Sequence, residues 1–340
     1  MNKKQRIQAA INGEKPDKMP YSFWSHMPGT DLDPEAISDK TLEFYKKYDF
    51  DFIKTMNNGM YAIEDFGATV DYSDIPKGGL AKIVSTPVST PEQIRELQPC
   101  SYEKGSLARE LRHLQLVLDK VKGENVPVIF TVFSPLTILD KLIGGARGSI
   151  RQFMEDGHGA DLKKGLEVIA ETTAALSAKA IEMGADGVFF ASQLSSYDFM
   201  TSEQYKEYGV PYDLEALKGA EKGWMNTIHC HGSNIMFELL KDYPIQVFNW
   251  HAWESLPDLA ECHALSGKCL MGGLDRRDIT AMNKPAIQHQ IYECFRQMKG
   301  RNIILTPGCV IRYPLNEEML AYIGQARDLV ETAFEKGQVL

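Results

Sequence analysis

Asp186-Gly187-Val188-Phe189-Phe190-Ala191, helical sequence from Ser202 to Ala220, and then Trp224 to His231 form one strand–helix–strand unit. The run Gly187 to Ala191 is short, apolar and aromatic-rich, the pattern of a strand buried on both faces. A helix between two such strands implies that they run parallel. The same alternation extends in both directions. Upstream lie Val126 to Val132, between helices at about Ser106 to Val121 and Leu162 to Met183. Downstream, helices near Asn234 to Leu240, Leu256 to Leu265 and Pro285 to Met298 precede strands at Ile245 to Asn249, Lys268 to Gly272 and Asn302 to Leu305. Met19 to Trp24 and Asp51 to Met56 supply two earlier strands, and a helix from Asn316 to Phe334 ends the pattern. Eight strands separated mostly by helices predict an α/β fold, a single (β/α)8 TIM-type barrel over residues 1–340, with an irregular insertion near 70–100.

Such barrels carry their chemistry at the C-terminal ends of the strands. The residues expected there are polar: His26, Asn57, Asn58, Ser134, Gln193, Asn249, His251 and Asp275. The sharpest signal is Thr227-Ile228-His229-Cys230-His231-Gly232. Side chains two apart on a strand share a face, so His229 and His231 look into the mouth while Cys230 faces the packing behind. Cys309, after the last strand, adds a thiol across the barrel top. Two imidazoles and one thiolate form a zinc set with an open fourth position, so His229, His231 and Cys309 are the expected catalytic and metal-binding residues. Glu64 is a candidate additional ligand, and Glu64 or Asp275 a candidate acceptor for an imidazole N–H. His26, Asn57, Asn58, Gln193, Asn249, His251 and Asp275 are the expected substrate contacts.

Composition excludes several classes. A net charge of −9 argues against a nucleic-acid surface. The apolar runs are strand-sized, so no membrane span is expected. The basic start Met1 to Arg6 leads only into Ile7-Gln8-Ala9-Ala10-Ile11, too short for a secretory segment, which predicts a cytoplasmic protein. Six scattered cysteines show no paired spacing, so reduced thiols are expected.

The opening Arg6-Ile7-x-Ala9-Ala10-Ile11-x-Gly13-Glu14-Lys15-Pro16-Asp17-x-Met19-Pro20 resembles that of uroporphyrinogen decarboxylase-like proteins. So do Ser202-Glu203-Gln204-Tyr205 with Pro211-Tyr212, Gly273-Leu274-Asp275, and Leu305-Thr306-Pro307-Gly308-Cys309. The resemblance implies a distorted barrel, often a homodimer, in one of two branches. Matching to the decarboxylase branch fails residue by residue. Its arginine-bearing loop corresponds to Phe23 to Gly29, without arginine, its catalytic aspartate falls near Asn58, its tyrosine near Lys141, and its C-terminal histidine on Cys309. The zinc-dependent corrinoid methyltransferase branch fits better, with Gly308-Cys309 matched and its His-x-Cys pair replaced by His229-x-His231. That branch implies Zn2+, a corrinoid (cobalamin) protein as partner, and a small methylated substrate or acceptor: a methoxy compound (O-demethylation), a methylated amine or a thiol. The alternatives are a metal-free decarboxylase using His229 or His231 as general acid, and a non-catalytic tetrapyrrole-binding barrel.

Overall fold

The computed structural model describes residues 1–75, 81–144 and 149–338. The strands are β1 (Ile53–Lys54), β2 (Thr69–Asp71), β3 (Lys82–Ser85), β4 (Val128–Phe133), β5 (Gly187–Ser192), β6 (Thr227–Cys230), β7 (Val247–Trp250), β8 (Cys269–Leu274) and β9 (Ile303–Pro307). Seven of them form one all-parallel sheet in the order β1-β4-β5-β6-β7-β8-β9. Sequence neighbours are sheet neighbours, because a helical crossover returns each strand beside the last. Every residue of these seven strands is buried. Phe190, Phe248 and Trp250 are among the largest fully buried side chains, and each such side chain contributes about 1.5–3 kcal/mol of hydrophobic stabilisation.

The expected first strand, Met19 to Trp24, is not a ladder strand. It makes two isolated parallel bridges, Tyr21 to Leu305 and Ser25 to Ile311. Pro20 has no N–H to give a ladder and serves only as an acceptor, from Leu305 N at 2.8 Å. The segment still touches both sheet edges: Ser22 N donates to Leu305 O, and Asp51 N donates to Tyr21 O.

The 70–100 region contains an antiparallel hairpin of β2 and β3 and a short helix, Pro91–Arg95; its residues 76–80 lie outside the described ones. The helical sequence expected from Ser202 to Ala220 is two helices, Ser202–Tyr208 and Val210–Lys218, broken at Gly209. At Gly209 a Cβ would lie 2.7 Å from the Tyr205 ring. The helix Pro34–Tyr48, whose last turn carries Lys46 and Lys47, starts on the Asp33 cap and ends at Asp49 in the left-handed region. No described helix is long and apolar enough to cross a membrane.

The opening motif is structural. Helix Lys3–Ile11 begins with a reciprocal Asn2/Gln5 capping box. It aims Arg6 at Asp17 (2.7 Å) and at the buried Asp51 (2.5 Å). Asp51 in turn accepts the Tyr21 N–H at 2.9 Å, so one ion network ties the first helix to the ends of two sheet segments.

Candidate metal centre

His229, on β6, lies in a cross-strand row with Ala191 of β5 and Asn249 of β7. Two residues further along, just beyond the strand ends, come His231 and His251. Cys309 follows two residues after β9. The donor atoms of His229, His231, His251 and Cys309 all lie within 4.8 Å of one another. The His231 and His251 rings meet edge to face at 5.1 Å, and Cys309 Sγ is 3.6 Å from His231 Nδ1.

Gly308 makes that approach feasible. A Cβ there would sit 2.7 Å from Trp250 O and 2.8 Å from His251 Cα. Only a residue without a side chain lets the end of β9 press against the end of β7.

Asn249 sets the tautomer of His229. Its Nδ2 donates to Met271 O at 2.6 Å, which fixes the amide and leaves Oδ1 as the acceptor facing His229 Nδ1 at 2.5 Å. Nδ1 therefore carries the proton, and the Nε2 lone pair is left for a metal. Burial, followed by the charges of His231 and His251, pushes the His229 pKa well below its ordinary value, against the Asn249 bond. His251 is lowered to about 4 by burial and then by Arg276. Both rings are neutral at pH 7, the form that ligates. The Cys309 thiol is raised, with burial outweighing Arg276 and Lys54. A bound cation would reverse that balance and hold the thiolate.

The donor set also fits a metal by what it lacks. Neither ring nitrogen of the buried His251 has a hydrogen-bond partner among the described residues, although Glu254 Oε1 stands 3.5 Å from Nδ1. Two orphaned nitrogens beside a thiol and two imidazoles are a costly arrangement without a ligand to satisfy them.

The other expected residues lie outside this group of four. Asn249, read as a substrate contact, is spent on orienting His229. Glu64 is outside the cluster: it pairs with Arg109 at 2.8 Å and accepts from the Tyr72 hydroxyl at 2.8 Å. Asn58 receives Met60 N and the same hydroxyl on Oδ1, and Asn57 Oδ1 accepts from Thr55. The Nδ2 of both asparagines is buried without a partner among the described residues. Asp275 caps helix Arg276–Thr280 and is bound on both carboxylate oxygens by Arg277, at 2.5 Å for the shortest contact. Gln193 is half-buried, its backbone N–H given to Thr137, and His26 is exposed. Cys230 points away from the mouth, buried close enough to Cys262 for their charges to interact.

One buried ionisable residue next to the Phe189 ring was not singled out by sequence reasoning. Lys54 of β1 is buried, with its Nζ 4.5 Å from the centre of the Phe189 ring, and Phe189 stacks on His229 at 5.2 Å. Burial lowers its pKa to about 7, against the raising effect of Cys309. A lysine within the otherwise apolar run Phe52-Ile53-Lys54 was the available signal.

Comparison with known proteins is consistent with this geometry. The chain is 20% identical over 235 residues to the methylcobamide:CoM methyltransferase MtbA of Methanosarcina mazei. That match covers 63% of this chain and 66%, just under two thirds, of the relative. The namesake enzyme of Methanosarcina acetivorans is 19% identical over 237 residues, covering 65% of this chain and 68% of the relative. Among solved structures, a methyltransferase from Methanosarcina mazei superposes with a TM-score of 0.83 at 18% identity, covering 97% of this chain and 99% of that one. A B12-independent methionine synthase from Shewanella sp. W3-18-1 gives a TM-score of 0.59 at 15% identity, covering 95% of each chain. The uroporphyrinogen decarboxylase (URO-D) family model matches residues 2–328, so the chain belongs to that family.

Proposed function

We propose that this protein is a zinc-dependent methyltransferase, moving a methyl group between a small methylated substrate and a corrinoid carried by a separate protein. The observation that carries the reading is the convergence of His229, His231, His251 and Cys309, with donor atoms within 4.8 Å of one another. An imidazole and thiolate set suits zinc above the hard cations. Its support from outside is that two relatives are named as methylcobamide:CoM methyltransferases. The same reading takes Met19 to Trp24 as the eighth member of a closed (β/α)8 barrel, which would put the cluster at the C-terminal mouth, where a partner protein would dock.

Zinc bound there would supply a Lewis acid for the heteroatom of the methoxy, amine or thiol substrate. The chain's own residues do the rest. Asn249 holds His229 in the ligating tautomer, and Phe189 covers one face of that ring and excludes water from it. Four protein ligands would fill a tetrahedral ion, so a substrate needs a fifth position or a ligand that yields. His251 is placed to yield, because no hydrogen bond anchors its ring among the described residues. The unpartnered amides of Asn57 and Asn58, with Gln193 and His26, would contact the substrate.

The test is metal content by plasma mass spectrometry for wild type, His231→Ala and Cys309→Ala, followed by methyl-transfer assays with a methylated corrinoid protein. About one zinc per chain in wild type, lost in both variants, is expected. Wild-type protein that takes up no zinc when zinc is supplied overturns the proposal and favours the metal-free lyase.

A further inference from the structure

The His251 ring is buried and makes no hydrogen bond among the described residues, yet one carboxylate stands beside it. Glu254 Oε1 lies 3.5 Å from His251 Nδ1, and among the described residues no other carboxylate comes within 4 Å of either ring nitrogen. The chain brings it there locally. Glu254 N and Ser255 N both donate to His251 O, at 2.8 and 2.9 Å, in a tight turn just after β7 that folds residue i+3 back beside residue i. Trp253, inside the turn, ties it to β8 by donating its Nε1 proton to Gly273 O at 3.0 Å.

Glu254 is held in place without being used up. Arg276 Nε and Arg277 Nε stand 3.8 and 3.9 Å from the same Oε1, near enough to attract the carboxylate and too far to hydrogen-bond it. The two carboxylates that the sequence offered as imidazole partners are engaged by other arginine contacts, Glu64 with Arg109 and Asp275 with Arg277. A neutral imidazole carries a single N–H. On His229 the Asn249 amide places it at Nδ1. On His251 the group positioned to do the same is Glu254, and a movement of about 0.5 Å would turn the 3.5 Å contact into a hydrogen bond.

We propose that Glu254 is the positioning residue of His251: its carboxylate accepts the Nδ1–H, leaves the Nε2 lone pair to the metal, and sets how firmly the fourth ligand is held. The proposal rests on the metal-centre reading and adds to it the control of the ligand that must yield to a substrate. A hydrogen bond to a carboxylate orients an imidazole and strengthens it as a donor, so the pair tunes His251 without Glu254 touching the ion.

The test measures zinc affinity, by competition with a chromophoric chelator, for wild type, Glu254→Gln, Glu254→Leu, His251→Ala and the double variant His251→Ala/Glu254→Leu. Glu254→Leu should lose about 10–100-fold in affinity. Glu254→Gln should keep most of it, because its amide oxygen still accepts. In the His251→Ala background Glu254→Leu should change nothing further, since the partner through which it acts is gone. Visible absorption of the cobalt-substituted proteins is the second readout, and the Glu254→Leu spectrum should move toward that of His251→Ala. The rival route is the charge of Glu254 acting on Cys309. It predicts equal losses in Glu254→Gln and Glu254→Leu and an undiminished loss in the His251→Ala background, and either result overturns the proposal. Unchanged affinity in Glu254→Leu overturns it as well. Thermal melting checks that each variant is folded. If wild type takes up neither zinc nor cobalt, the metal reading fails by itself. Nitrogen-15 NMR of the metal-free protein then decides the role of Glu254, which stands if His251 carries its proton on Nδ1 in wild type and loses that preference in Glu254→Leu, and falls if the tautomer is the same in both.

Discussion

At the scale of single residues, the site shows how a side chain two bonds from the chemistry decides what a ligand can do. His229 could carry its proton on either nitrogen. Asn249, locked by its own bond to Met271 O, permits only one. Asn249→Leu should therefore keep the fold but lower zinc affinity about 10–100-fold, measured by competition with a chromophoric chelator. Unchanged affinity would show that Asn249 does not govern the tautomer. His229-x-His231 and Cys309 were legible as ligands because the period of a strand places i and i+2 together. His251 was legible only as a polar mouth residue, since nothing local in Asn249-Trp250-His251-Ala252 says that its ring turns toward the other three. Lys54 was not legible as a buried residue, because the Phe189 ring against it comes from a distant strand.

At the scale of elements, the site is an agreement between strand ends. β6, β7 and β9 must stop within a residue or two of the same level, and Gly308 lets the last of them come close enough. Gly308→Ala should push Cys309 away from His251, because its Cβ would overlap Trp250 O. The expected result is a loss of zinc stoichiometry with little change in circular dichroism, and full zinc binding would refute it. The strands themselves could be read from their apolar runs and their helical connections. The exception is instructive: Met19 to Trp24 carries the strand pattern but contains Pro20, so the segment contributes scattered bonds to Leu305, Ile311 and Asp51 without a continuous ladder. The break at Gly209 is written in Gly209-Val210-Pro211, since Pro211 has no N–H for the preceding turn, whereas the packing of the Tyr205 ring against the glycine is a contact that residue spacing does not show.

At the scale of the whole molecule, the family signature at the N-terminus acts far from the metal centre. Arg6 binds Asp17 and Asp51, and Arg327 adds a second cation 3.9 Å from Asp51. Removing Arg6 takes the nearer cation from the buried Asp51 carboxylate and leaves it Arg327 at 3.9 Å and the Tyr21 N–H, at a cost of up to about 3 kcal/mol. Arg6→Met should thus lower the denaturation midpoint while leaving zinc content unchanged, and Arg6→Met combined with Asp51→Asn should recover part of the loss. Urea unfolding followed by fluorescence measures both. Equal midpoints for wild type and Arg6→Met would remove this network from the account of stability.

The sequence by itself determined the alternation of strands and helices, the pairing of His229 with His231 on one face, and membership of a fold family whose sites lie at strand ends. These follow from local rules of periodicity, capping and spacing that neighbouring residues obey wherever they sit. Only the tertiary structure decided that His251 joins Cys309, that Glu64 is held by Arg109 and Tyr72 away from the cluster, and that Lys54 is buried against the Phe189 ring. Those facts depend on which distant segments meet, and on burial, which assigns an energetic meaning to a charge or a lone pair only after water has been excluded.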